Sequence, residues 1–366
     1  MSMKGKWYVR QLDLVTGECV KRINNIITEE TITLEFCKQC ILEASRNKTS
    51  RLEVATILDN IDEFALRLQR MVLDETFEPS PCEIFNKVEY GKVRHIEKPK
   101  FFPDQAIHHL LILLIRDKLE KRIDPYAIAS MRNKGTHYGV RAITRWLSAK
   151  DAYKTCKYVI KGDIKQCFAS VTPDVIYQTY ERMIKDKKYL RLKHKVLFQH
   201  SSLPIGNYCS SYDLNLLLLP IDQMIRKQDY VSHYIRYMDD FIIFCKNKKR
   251  AWKLKDGLSI LLSSFGLTLK GTYSLTKIQD TGVDFIGYRF FLKNTILRKR
   301  NLKHIIKLAK KMRKDGFYRL HDCRSLVSLM GMCTHCHSTW LIHFVLKEVN
   351  FVRIKKILRE ASRNGI

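Results

Sequence analysis

The spacing of hydrophobic positions changes twice in the first third of the chain. Leu58, Ile61, Phe64, Ala65, Leu68 and Met71 recur at helical spacing, after a short strand-like stretch from Trp7 to Leu14. Pro79 and Pro81, in the segment Thr76 to Pro81, end that pattern because proline lacks the amide a helix needs. From Glu83 the period falls to two, through Ile84, Phe85, Val88, Tyr90, Val93 and Ile96, and Gly91 sits where a hairpin would turn. Helical spacing returns from Asp104 to Ile123, with Ile107, Leu110, Leu111, Leu114, Ile115 and Leu119 on one stripe and Asp104 as the expected N-cap. Further on, Leu214 to Ile221 reads as a buried helix, Trp252 to Phe265 as a helix closed by Gly266, and Gly282 to Tyr288 as a glycine-flanked hairpin. The last quarter is helical: Leu302, Ile305, Ile306 and Leu308 lie among basic residues, and a segment from Ser325 onward offers Trp340 and Phe344 for packing.

Two β-rich runs carry acid. Tyr158, Val159 and Ile160 lead to Asp163, and the run Tyr234 to Phe244 encloses Asp239 and Asp240 at what reads as a hairpin turn. An Asp-Asp pair alone is ordinary turn chemistry. Carboxylates this close repel unless water or cations neutralise them, and a hard divalent ion with oxygen ligands does so best. With Asp163 ending an adjacent strand, three carboxylates could hold two Mg²⁺ about 3.5–4 Å apart, one activating a terminal hydroxyl and one steadying a leaving pyrophosphate. That is the chemistry of a nucleotide polymerase.

Tyr237-Met238-Asp239-Asp240 resembles the catalytic box of reverse transcriptases, and Asp163 through Phe168 resembles their first palm motif. The resemblance runs from about Thr76 to the C-terminus, with a layout closest to the reverse transcriptases of diversity-generating retroelements. It implies a right-hand polymerase of the α/β (α+β) class: a helical extension over 1–75, fingers over 76–150, a palm with an antiparallel sheet over 151–290 and a basic helical thumb over 291–366. Asp163, Asp239 and Asp240 would be catalytic and hold the metal, Mg²⁺ or Mn²⁺ in its place. Lys92 and Arg94 would close over the triphosphate of a dNTP, with solvated edge charge as the alternative. Arg132, in a segment resembling the second fingers motif, would contact phosphate where Gly135-Thr136-His137 opens a helix; an exposed helix N-terminus favours an anion and a guanidinium suits phosphate. Phe168 would set its ring against the sugar and exclude a 2′-hydroxyl, core packing being the alternative.

The segment Leu203 to Ser211 bears on the subclass. Ile205 and Gly206 would line the templating pair, and where many reverse transcriptases place glutamine, Ile205 cannot donate a hydrogen bond. Checking of the nascent pair should loosen, so low fidelity is expected. Ser210-Ser211 departs from the Ser-Gln that usually closes this motif. Phe285, Gly287 and Tyr288 resemble the primer grip, a plain hairpin core being the other reading, and either Lys270 or Lys277 matches a lysine near the pyrophosphate.

Charge agrees with this reading. The formal charge of +29 attracts polyanions, and Arg298, Lys299, Arg300, Lys303, Lys307 and Lys310 come at helical spacing on the expected thumb. Template RNA and a DNA or RNA primer are the expected partners, and the resemblance adds a small basic accessory protein. No apolar stretch is long enough for a membrane helix, and no signal-peptide core opens the chain, so the expected location is the cytoplasm of a bacterial or phage-infected cell. Eleven scattered cysteines read as reduced; Cys37/Cys40 and Cys333/Cys336 have metal spacing but lack the turn glycines of a zinc knuckle. No additional acidic cluster suggests a ribonuclease H or endonuclease. The rival readings are an antiphage defence reverse transcriptase, a group II intron maturase and a catalytically silent RNA-binding scaffold.

Overall fold

The computed structural model describes residues 22–89 and 91–363; the expected strand from Trp7 to Leu14 lies outside them. Two compact units share the chain. Of the described residues, one takes those up to Ser130 with Ile164–Ile225 and Lys255–Gly271, and the other takes Met131–Asp163, Arg226–Leu254 and those from Thr272 onward.

The first unit begins with helices Leu34–Ser45, Leu52–Asp59 and Ile61–Leu73; the expected helical run from Leu58 to Met71 is broken at Asn60, and the last of the three helices buries Ala65, Leu68 and Val72. The helix Ala106–Arg122 departs from expectation. It buries His108, His109 and Ile112 as well as the predicted stripe except Leu114, which is half-buried, so it is a core helix wrapped on most sides rather than an amphipathic one. Asp104 does not cap it. The carboxylate lies in an irregular turn, Phe101–Gln105, where Oδ1 accepts the Ser80 amide at 2.9 Å. A fully paired ionic cluster crosses the same core: Lys193 Nζ donates to both Asp213 oxygens at 2.8 and 2.9 Å, and Tyr180 Oη donates to Oδ1 at 2.7 Å. Pairing of this kind is what makes an interior charge tolerable.

Strands β1 (Glu83–Glu89) and β2 (Lys92–Lys98) form the expected antiparallel hairpin. Its alternation does not mark a buried face, since Ile84, Val88 and Val93 are 61, 69 and 67% exposed. The base of the ribbon is tied down where the Glu97 amide donates to Ile205 O at 3.1 Å.

The second unit holds a four-stranded antiparallel sheet in the order β4-β5-β3-β6, with β3 at Tyr158–Asp163, β4 at Val231–Tyr237, β5 at Asp240–Cys245 and β6 at Ser274–Lys277. Helix Thr136–Ser148 packs on it through Trp146, which stacks on His233 at 4.5 Å and meets Phe244 edge-on at 6.3 Å. A second sheet, β7 (Val283–Phe285), β8 (Tyr288–Phe291) and β9 (Asn294–Leu297), precedes helices Lys299–Asp315, Leu320–Cys333, Thr339–Glu348 and Phe351–Arg363. The expected single helical run after Ser325 is therefore broken. At the first break the His337 amide donates to Thr295 O at 2.7 Å, and the Thr295 amide donates back to His337 Nδ1 at 3.2 Å, so the turn docks on β9. Trp340 is 54% exposed rather than packed; Leu341 and Val345 face inward instead.

Both cysteine pairs read as thiols. Cys37, Cys40 and Cys333 are buried, and burial pushes Cys37 up to about 12 and Cys333 up to about 11, which keeps them protonated. Among the described residues no helix is long and apolar enough to cross a membrane.

Candidate active site

Strand register brings two of the three aspartates together. In the antiparallel pair β3–β5, Asp163 lies opposite Asp240 and Gly162 opposite Phe241. The β4–β5 hairpin closes with Tyr237 opposite Asp240, leaving Met238 and Asp239 as a two-residue loop. Met238 has φ 55, a conformation that suits the right-handed twist of a tight hairpin but costs a non-glycine residue about 1–2 kcal/mol. Arg236 supports that loop from below. It is 1% exposed, and its Nη1 donates to Met238 O at 3.0 Å. The loop position of Asp239 resolves the geometric problem posed by two adjacent strand residues, which would otherwise point to opposite faces.

Electrostatics single out Asp240. Its Oδ1 is buried with no hydrogen-bond partner, and its carboxyl is pushed up to about 6, first by burial and then by the negative charges of Asp163 and Asp239, against the opposing Lys161 ammonium. An orphaned carboxylate oxygen among other hard oxygen donors fits a divalent cation. Among the described residues no three His, Cys, Asp or Glu side chains already converge as a finished metal cage. The fit therefore rests on the register and on the unsatisfied oxygen.

Close packing fixes this corner. A Cβ on Gly162 would meet Phe241 Cζ at 2.2 Å, so only glycine lets the ring lie against β3 beside Asp163. Lys161, two residues before Asp163 and thus on the same strand face, donates from Nζ to Asp284 O at 2.8 Å and ties β3 to β7. Gly162, Lys161 and Arg236 were given no role from sequence. The available signals were a glycine inside a strand and an arginine inside an apolar run.

The remaining expected residues divide between the units. In the first, Arg94 is exposed on β2 opposite Lys87, so the hairpin adds a basic residue that only pairing about Gly91 reveals; Lys92 begins the same strand. Gly206 has φ 111, and a Cβ there would sit 3.1 Å from Glu97 O, so the Ile205–Gly206 turn lies against the base of the strand that carries Arg94. Phe168 is half-buried in the short helix Cys167–Ser170. In the second unit, Arg132 is exposed ahead of helix Thr136–Ser148, which Gly135 opens with φ 111.

Two expectations are corrected. Phe285 and Tyr288 are each 1% exposed, with Tyr288 Oη donating to Met332 O at 3.1 Å, so their rings are hairpin core rather than surface for a primer. The Gly287 carbonyl is also taken, by the Arg298 amide at 3.0 Å and Asn301 Nδ2 at 3.1 Å. Arg298 leaves the basic stripe, being half-buried with Nε 3.4 Å from Asp284 Oδ2. Lys299, Arg300, Lys303, Lys307 and Lys310 stay exposed on their helix while Ile305, Leu308, Ala309 and Met312 face inward.

The family described as reverse transcriptase (RNA-dependent DNA polymerase) matches residues 104–290, just over half the chain and all three aspartates. The chain belongs to the reverse transcriptases. That family has the right-hand polymerase fold, to which the mixed helices and antiparallel sheets described above conform; it binds template and primer and generally uses divalent metal ions. Among curated proteins, the chain is similar to a Saccharomyces cerevisiae protein named for intron 2 of COX1/OXI3, 21% identical over 317 residues, covering 66% of this chain and 36% of that protein. The chain thus spans about a third of that relative's length. Among solved structures it is similar to apo telomerase from Candida tropicalis, 12% identical with a TM-score of 0.47 over 77% of this chain and 61% of the other.

Proposed function

We propose that the chain is an RNA-directed DNA polymerase that extends a primer 3′ end with dNTPs on an RNA template, using Mg²⁺. The observation that carries this is Asp163 opposite Asp240, with Asp239 in the adjoining loop and Asp240 Oδ1 left without a partner. Asp163, Asp239 and Asp240 would hold the metal. When bound, Mg²⁺ would acidify the primer hydroxyl and stabilise charge on the departing pyrophosphate. The chain's own residues do the positioning: Arg236 and Gly162 set the carboxylates, Lys92, Arg94 and Arg132 meet the triphosphate, Phe168 excludes a 2′-hydroxyl, and Lys299 to Lys310 track the primer–template backbone. The boundaries expected from sequence, fingers over 76–150, palm over 151–290 and thumb from 291, belong to the same reading.

The finer assignment is to the diversity-generating type, with a small basic accessory protein as partner. Ile205 supports it, because an apolar side chain at the templating pair offers no hydrogen bond that would penalise a mismatch. The test is Mg²⁺-dependent dNTP incorporation on a primed RNA template, wild type beside Asp239→Asn, with products sequenced. Loss of at least about 100-fold in a variant that melts like wild type is expected, together with frequent errors opposite template adenine. Faithful product would replace the mutagenic role with antiphage defence. A wild type that binds RNA but incorporates nothing, with candidate partners supplied, would leave an RNA-binding scaffold.

A further inference from the structure

A cavity of about 500 Å³ opens in the first unit, lined by Arg22, Tyr177, Glu181, Lys185, Lys187 and Arg191 above the apolar Ile184 and Leu190. None of these residues belongs to the proposed polymerisation machinery. Its frame is built rather than incidental. The Ile23 amide donates to Met183 O at 2.9 Å and the Lys185 amide to Ile23 O at 2.7 Å, so the segment carrying Arg22 runs alongside the loop between helices Pro173–Met183 and Lys187–Phe198. Asp186, the buried last residue of that loop, accepts the amides of Ile26 and Ile27 on one oxygen at 2.6 and 3.0 Å, and the Tyr189 amide on the other at 3.0 Å.

The wall chemistry is specific. Arg191 is spent on Glu75, bidentately at 2.6 and 2.8 Å. Arg22, Lys185 and Lys187 are exposed and face a single carboxylate on the cavity wall, Glu181. The Tyr177 ring is half-buried and held edge-on by His194 at 5.4 Å and Phe198 at 5.9 Å, and those two rings stack on each other at 4.0 Å. Three cations beside a braced aromatic ring, in a space of nucleotide size, match the two requirements of single-stranded nucleic acid: charge for phosphates and a flat surface for a base. Glu181 adds an acceptor for a base amino group. A duplex keeps its base faces stacked and would leave Tyr177 idle.

We propose that this cavity is a second nucleic-acid site for a single strand, seating one base on Tyr177 and the phosphates of that nucleotide and its neighbours on Arg22, Lys185 and Lys187. The test uses the full chain saturated with a primer–template duplex, to which a short, unstructured, labelled RNA is added and followed by anisotropy across a salt series. Wild type should bind this additional equivalent. In the combined variant Arg22→Glu, Lys185→Glu, Lys187→Glu the additional binding should be lost. In the matching glutamine variant the log–log salt slope should fall by about 2, as three single-strand phosphate contacts require. Tyr177→Ala should weaken the additional site about 5- to 150-fold while Tyr177→Phe keeps it. Extension of the pre-bound primer should stay within about twofold in the charge variants, which separates this site from the polymerase reading. If the charge-reversed protein melts like wild type and takes up the additional RNA with unchanged affinity and slope, or if wild type takes up none, the proposal fails.

Discussion

Gly162 stands between Lys161 and Asp163, and the space a side chain would occupy belongs to the ring of Phe241, itself 2% exposed. A Cβ would sit 2.2, 2.6 and 2.9 Å from three ring atoms. Gly162→Ala should therefore cost about 1–3 kcal/mol of stability through overpacking. Because Asp163 and Asp240 are register neighbours one residue away, primer extension should fall further than primer–template binding does. Denaturant melts beside kcat and Kd measurements check both; an alanine variant as stable and active as wild type would show that the ring relocates freely. The three aspartates were readable from sequence because each sits at the end of a β-rich run. Arg236 was less so: its partner is the carbonyl of Met238, whose accessibility depends on how the loop turns.

At the scale of the element, helix Ala106–Arg122 shows what periodicity captures and what it leaves out. Helical type and extent were legible; burial on most sides was not, because a stripe pattern says which side is apolar and not how many neighbours a helix will meet. His108 and His109 record the difference. Burial lowers both, His109 from 6.5 to about 3, with the ring stacked on Tyr208 at 3.7 Å. The folded protein therefore holds fewer protons than the unfolded chain between these values. Stability is full above the unfolded value and declines as pH falls from 6.5 toward 3, at up to about 1.4 kcal/mol per pH unit for each histidine. Thermal melts between pH 7.5 and pH 5 should show that decline, and His109→Phe should flatten it. A slope identical in the variant would exclude His109 as a source. The β1–β2 hairpin teaches the converse: strand type and turn were correct, yet only its base packs against the Ile205–Gly206 turn while Ile84, Val88 and Val93 stay exposed, so alternation did not imply a core.

For the molecule as a whole, a charge of +29 makes affinity for nucleic acid a property of ionic strength as much as of any contact. Lys303, Lys307 and Lys310 are exposed on the helix whose other face packs through Ile305, Leu308 and Met312. Changing the three lysines to glutamine should leave the melting temperature unchanged. It should also reduce the slope of log affinity against log salt for a primer–template duplex by about 2–3, close to 0.9 per lost phosphate contact. An unaltered slope would remove this helix from the duplex-binding surface.

The amino-acid sequence by itself determined the family, the β1–β2 hairpin with the helix after it, and the acid-bearing hairpin, since these depend on local periodicity and on residues adjacent in the chain. Tertiary structure decided which side chains are available. Phe285 and Tyr288 looked like a primer-facing surface and became hairpin core; Arg298 looked like part of a basic stripe and paired with Asp284. The Tyr177 cavity could not be read from the chain, because Arg22 and Lys185 are brought together by hydrogen bonds between segments 160 residues apart. Burial and long-range pairing arise from packing among distant segments, and no local pattern encodes them.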